Sequence, residues 1–187
     1  MVSANLPRLP EHVLCGETGD LYKALNEAAP LPRVLIGVAA IDKALHSVLS
    51  RFLIDSRVSE GMLQQAHGLL GSYGARHEMA YALGLIPVEM LHNLRALGEL
   101  RNKFVHSDIV LDFDSLEIGR LCDQLNVPAA CEASFGDAAD VSSLYVRPTR
   151  LRAPRDRFML VTLLTFGQLL SAAMNVERRQ KCTGEWA

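Results

Sequence analysis

Arg101, Asn102 and His106 close an apolar, helix-patterned run in the order Arg-Asn-x-x-x-His. Asn102 and His106 are four residues apart, so on an α-helix they share a face. Arg101 is turned about 100° from Asn102 at 3.6 residues per turn. A guanidinium, an amide and an imidazole are therefore expected to project towards one edge of a helix C-terminus. Two chemistries fit that constellation. In the first, His106 is a general acid/base and Arg101 stabilises a phosphorane-like charge, as metal-independent RNA cleavage requires. In the second the trio is architecture or a partner-binding edge. His106 then caps the helix, where a protonated histidine gains ~0.3–1 kcal/mol from the end carbonyls. Asn102 tethers a neighbouring loop, and Arg101 pairs with Asp108, Asp112 or Asp114.

A second constellation is basic. Arg147, Arg150, Arg152, Arg155 and Arg157 fall within eleven residues, against one acid, Asp156. Guanidinium forks suit phosphate or carboxylate. The patch fits nucleic acid, an acidic partner surface, or a solvated loop partnered by Glu132, Asp137 and Asp140. The chain as a whole carries a formal charge of −2, so nothing global attracts it to phosphate. Arg178, Arg179 and Lys181 form a third basic group, which the dipole of a helix C-terminus accounts for. Metal and nucleophile signals are poor. His77-Glu78 begins like a zincin helix, but Tyr81 stands where the second histidine belongs. His12, His46, His67, His77 and His92 make no close ligand pair, and neither a glycine-rich phosphate loop nor a Gly-x-Ser-x-Gly elbow occurs. Cys15, Cys122, Cys131 and Cys182 are too far apart for a zinc knuckle or redox pair, and reduced thiols in a cytoplasm account for them. Beyond the Arg101–His106 constellation, the residues point to no catalytic group, metal or cofactor.

The elements that must carry these groups read as helices. The 187 residues are 49% hydrophobic and 21% charged, which suits one domain with a real core. A first helix is expected over 19–28, after an N-terminal tail at 1–17. Pro32 opens a second helix running to about Ile54, on which Val34, Leu35, Val38, Ile41, Leu45, Val48, Leu49 and Phe52 follow the i, i+3, i+4, i+7 rule. Ser59 is the expected N-cap of a third helix ending at Leu70. Gly71 and Gly74 bracket a turn before a fourth helix, 76–83. Pro87 opens a fifth, Val88 to about His106, with Leu91, Leu94, Leu97, Leu100 and Phe104 on its apolar face. Ile109 to Phe113 alternates and suits a short extended piece, and Asp114 or Ser115 caps a sixth helix through Leu125. Residues 126–155 read as a long loop, and such length in a compact domain marks a functional segment. The last helix is expected over 156–179, before a tail at 180–187. It is uncharged from Phe158 to Val176, close to membrane-span length. Thr162, Thr165, Gln168, Ser171 and Asn175 nevertheless stripe one side, the pattern of a core or subunit-interface helix. The expectation is an all-α, single-domain bundle of about seven helices, with no membrane span.

The run YALGLI (Tyr81–Ile86), followed by LRNKFVHS (Leu100–Ser107), resembles the mannitol operon repressor family. That family shows a YALGLI-type turn and an RNxFAH helix end before a hydrophobic-plus-acidic stretch. Val105 stands here where the family pattern commonly has alanine. Asp156 to Leu170 also resembles the family's closing helix, and the likeness spans roughly 31–174. It implies an all-α fold and negative transcriptional regulation without catalysis. No basic recognition helix is visible, since the helix after Pro87 begins Val88-Glu89-Met90. A regulator of this type is expected to repress through protein–protein contacts, as a cytoplasmic homodimer joined through the long second helix and the striped last one. The Arg-Asn-x-x-x-His string also resembles HEPN ribonucleases, which implies the alternative of RNA cleavage by Arg101 and His106 across a dimer. Direct nucleic-acid binding through the arginine patch is a third, less favoured reading.

Overall fold

The computed structural model describes residues 16–64, 67–127 and 153–181. Seven helices and no strand occur among them: α1 (Glu17–Glu27), α2 (Pro30–Phe52), α3 (Arg57–Leu63), α4 (Tyr73–Ala82), α5 (Val88–Val105), α6 (Leu116–Asp123) and α7 (Pro154–Asn175). The all-α bundle expected from the sequence is the observed fold.

α2 is the spine. Proline at its first position costs no hydrogen bond, because that N–H has no intrahelical acceptor. Val34, Val38, Ile41, Leu45, Val48 and Leu49 then recur at helical spacing and are all buried. Its most extensive contact is with α7, and α1, α4 and α5 pack around it. Gly37 permits the close α2–α7 approach: a Cβ there would lie 3.0 Å from Thr162 Cγ2 and 3.2 Å from Phe158 Cζ. Leu35, assigned to the apolar face, is instead 39% exposed.

α7 is long and apolar enough to cross a membrane by composition, yet Phe158 to Leu163 are buried inside the bundle, with Thr165, Phe166, Leu169 and Ala173. The polar stripe divides. Thr162 and Thr165 are interior, while Gln168, Ser171 and Asn175 are not. Thr162 and Thr165 are thus part of the core of the bundle. α7 also ends at Asn175 rather than near Arg179. Arg178 pairs with Asp55 at 3.1 Å, and Arg179 donates its backbone N–H to Phe52 O at 2.8 Å while its guanidinium lies over the Phe52 ring. These contacts pin the segment after α7 to the C-terminal end of α2.

Local capping moved other boundaries. Ser56, not Ser59, caps α3 by accepting from Ser59 N–H at 3.2 Å, and Ser59 is buried one turn inside. Ser72 caps α4 by accepting from Ala75 N–H at 3.1 Å, so Gly74 is helical and α4 begins earlier than expected. Gly84 has φ +69°, the left-handed conformation that glycine adopts without strain, and it stops α4 inside the YALGLI turn. Arg76 is 1% exposed, bonded to Asp42 Oδ1 at 2.6 Å and Gly71 O at 3.1 Å, and this inter-helix pair ties α4 to α2.

Candidate functional site

The end of α5 is held from both sides. Phe104 packs on Phe113, with ring centroids 5.7 Å apart, and Phe113 on Phe158 at 5.4 Å, which anchors the segment after α5 to α7. Asn93, buried in α5, exchanges two hydrogen bonds with the Asn126 backbone, at 2.9 and 2.7 Å, and so fixes the exit of α6 against α5. Between α5 and α6 lies a cleft of about 490 Å³ lined by Glu99, Asn102, Lys103, His106, Glu117, Arg120 and Leu121. Lys103 bridges it to Glu117 at 2.5 Å.

The structure brings Asn102 and His106 together on this cleft, as their spacing predicts. His106 occupies the C-cap position, with its backbone N–H on Asn102 O at 2.9 Å. Arg101 does not join them there. Its guanidinium lies 5.6 Å from the Tyr73 ring centroid, towards α4. Its Nε and Nη2 both donate to Asn102 Oδ1, at 3.2 and 2.8 Å. The carboxylate pairing expected with Asp108, Asp112 or Asp114 is replaced by this amide grip, because the helix turns Arg101 away from the acidic loop. With its fork engaged, Arg101 orients Asn102 within this chain.

Of the basic patch, Arg147, Arg150 and Arg152 lie outside the described residues. Arg155 and Arg157 are in the first turn of α7 and are tied into the fold. Arg155 Nη2 donates to Asn26 Oδ1 at 3.3 Å and Arg157 Nε to Leu125 O at 2.8 Å. These two pin α7 to α1 and to the end of α6.

No group of three metal-ligating side chains occurs among the described residues. Burial pushes the Cys122 thiol up to about 12, with Asp123 adding to the shift and Arg157 opposing it, so it is no nucleophile at neutral pH. His77 is buried. Desolvation holds its pKa below 6.5 even though Glu78 lies 3.6 Å from Nε2, so the imidazole is neutral at pH 7 and that contact is a weak one.

Sequence reasoning missed the surface beside the cleft. The residues from 106 to 115 form turns rather than a strand. Ser107 Oγ accepts from Ile109 N–H at 3.2 Å, Ser115 Oγ from Asp112 N–H at 3.3 Å and Asp112 Oδ1 from Asp114 N–H at 2.7 Å. Leu111 and Phe113 go inward, and Ile109 (71% exposed), Val110 (101%) and Leu116 (74%) are left outward. The signal was present in DIVLDFDSLE, Asp108 to Glu117, where aliphatics interleave with four carboxylates and no lysine or arginine.

No protein-family profile and no curated protein matches the chain. Solved structures do. MtlR from Escherichia coli, determined as an MtlR–HPr complex, superposes with a TM-score of 0.62 at 18% identity, over 82% of this chain and 98% of that one. YggD from Shigella flexneri 2a, described as a possible transcriptional regulator, gives 0.60 at 14% identity, over 84% and 99%. The fold resembles that of MtlR and YggD. At such identities the likeness covers architecture, and the resemblance of the YALGLI and RNxFAH segments agrees with it.

Proposed function

We propose that this chain is a non-enzymatic transcriptional regulator of the mannitol-repressor type, cytoplasmic and homodimeric, that acts by holding a protein partner. The observation that carries the reading is the superposition on nearly the whole of MtlR, a protein solved together with HPr. Three features of the chain support it. Arg101 is engaged with Asn102 and Tyr73. Arg155 and Arg157 are spent on intramolecular carbonyl and amide oxygens. The described surface also exposes aliphatic side chains in a fixed loop. The test is calorimetric titration of the full chain with purified Escherichia coli HPr. Binding in the micromolar range is expected, and no heat at a hundred micromolar of either protein would overturn the reading.

Ribonuclease action is the second reading, favoured by one observation: Asn102 and His106 line the same cleft. It would require a second subunit to supply the arginine that this chain turns towards Tyr73. Direct DNA binding through Arg147, Arg150 and Arg152 predicts affinity that falls steeply with salt as counterions are released.

A further inference from the structure

From Phe104 to Gly119 the chain carries four carboxylates, Asp108, Asp112, Asp114 and Glu117, and neither lysine nor arginine. Lys103 and Arg120 border the stretch, and Lys103 pairs with Glu117 at 2.5 Å, so the acidity of the face rests on Asp108, Asp112 and Asp114. The acidity is local, and it coincides with aliphatic exposure: Val105, Ile109, Val110 and Leu116 are all outward. Such side chains gain by leaving water when a partner covers them. The backbone that presents them is already ordered by the Ser107, Asp112 and Ser115 side-chain bonds and by the buried Leu111 and Phe113. A preorganised surface loses little further entropy on docking. Along its α6 side runs a second cleft, of about 300 Å³, that includes Asp114, Leu116, Gly119 and Asp123, and Arg120 lines both it and the cleft of His106.

We infer that this acidic, aliphatic face, from Val105 to Glu117, docks a protein whose surface carries lysine or arginine around an apolar centre. The inference rests on the protein-contact reading above and names the surface and the partner's chemistry. Carboxylates steer a basic partner and disfavour an acidic one, while the aliphatics supply the burial. Asp112 also serves as a turn acceptor, so Asp108 and Asp114 are the acids free of that duty in the loop's backbone bonds.

The probes are two labelled 18-residue amphipathic helical peptides with the same leucine face, one flanked by lysine and one by glutamate. Each is titrated into the full chain by fluorescence anisotropy at low and moderate salt. The lysine peptide is expected to bind at least tenfold more tightly than the glutamate peptide. That binding should weaken at least tenfold in Ile109→Ser/Val110→Ser/Leu116→Ser, and several-fold in Asp108→Asn/Asp114→Asn. All five positions are exposed, and unchanged melting temperatures establish that the variants fold. Equal binding of the two peptides overturns the inference. So does lysine-peptide binding that survives the triple serine variant, which would reduce it to charge attraction. Binding seen only in Arg147→Gln/Arg150→Gln/Arg152→Gln would make the chain's own arginines the occupant. A dimer that the serine variant splits, measured by light scattering, would make it a second copy. Either result overturns the inference too. The HPr titration of the unaltered chain decides the wider reading separately, whichever way the peptides behave.

Discussion

Arg33 belongs to α2, yet its guanidinium serves α1. Nε donates to Leu25 O at 2.6 Å and Nη2 to the carbonyls of Asn26 and Ala28, the groups that the C-terminus of a helix leaves unpaired. Burial brings its pKa down to about 10, with the charge of Arg155 adding to the shift and Asp156 opposing it, so it stays protonated at neutral pH. Replacing it with methionine keeps much of the bulk and strands those carbonyls. Arg33→Met is expected to cost about 2–4 kcal/mol in urea unfolding. His77 makes a pH prediction. The unfolded chain takes up a proton near 6.5, but the buried imidazole resists it, so below that pH the unfolded state binds more protons. Stability from this group is complete above pH 6.5 and is lost as pH falls below it, by at most about 1.4 kcal/mol per pH unit. The acid limb of a stability profile between pH 5 and 8 should be shallower in His77→Leu.

The helices themselves were legible because burial on one side imposes a 3.6-residue period. α2 and α5 follow their sequence patterns within a few residues. What was not legible depends on contacts distant in sequence or on competing caps. Ser56 and Ser59 both suit a helix start, and only the extended backbone at Ser56 decides between them. Arg76 suits a surface pair or an inter-helix pair equally in the sequence, and only the fold places Asp42, thirty-four residues earlier, beside it. The α2–α7 crossing is a further case, since one glycine facing one threonine leaves no periodic signal. Gly37→Ala pushes a Cβ to 3.0 Å from Thr162 Cγ2, and overpacking of this kind typically costs 1–3 kcal/mol. Unfolding midpoints should show that loss. Gly37→Ala/Thr162→Ser, which removes the opposing methyl, should recover part of it.

At the scale of the whole molecule, the described residues bring Asp108, Asp112 and Asp114 together with the exposed Val105, Ile109, Val110 and Leu116 at the end of the bundle where α5 meets α6, while Val58, Leu69 and Met174 are exposed singly elsewhere. The Arg-Asn-x-x-x-His string stands at that end. Its spacing foretold that Asn102 and His106 would share a face, but nothing in the string told that Arg101 would stack on Tyr73. That ring belongs to α4 and meets α5 only in the folded chain, where Tyr73 Oη donates to Leu94 O at 2.7 Å. We propose this edge as architecture beside a protein-docking surface, rather than as the centre of a nuclease. The most direct test is incubation of metal-free protein with single-stranded RNA, beside its His106→Ala variant. The account predicts intact RNA with both proteins. Cleavage by the parent that disappears in His106→Ala would contradict it and make the chain an enzyme.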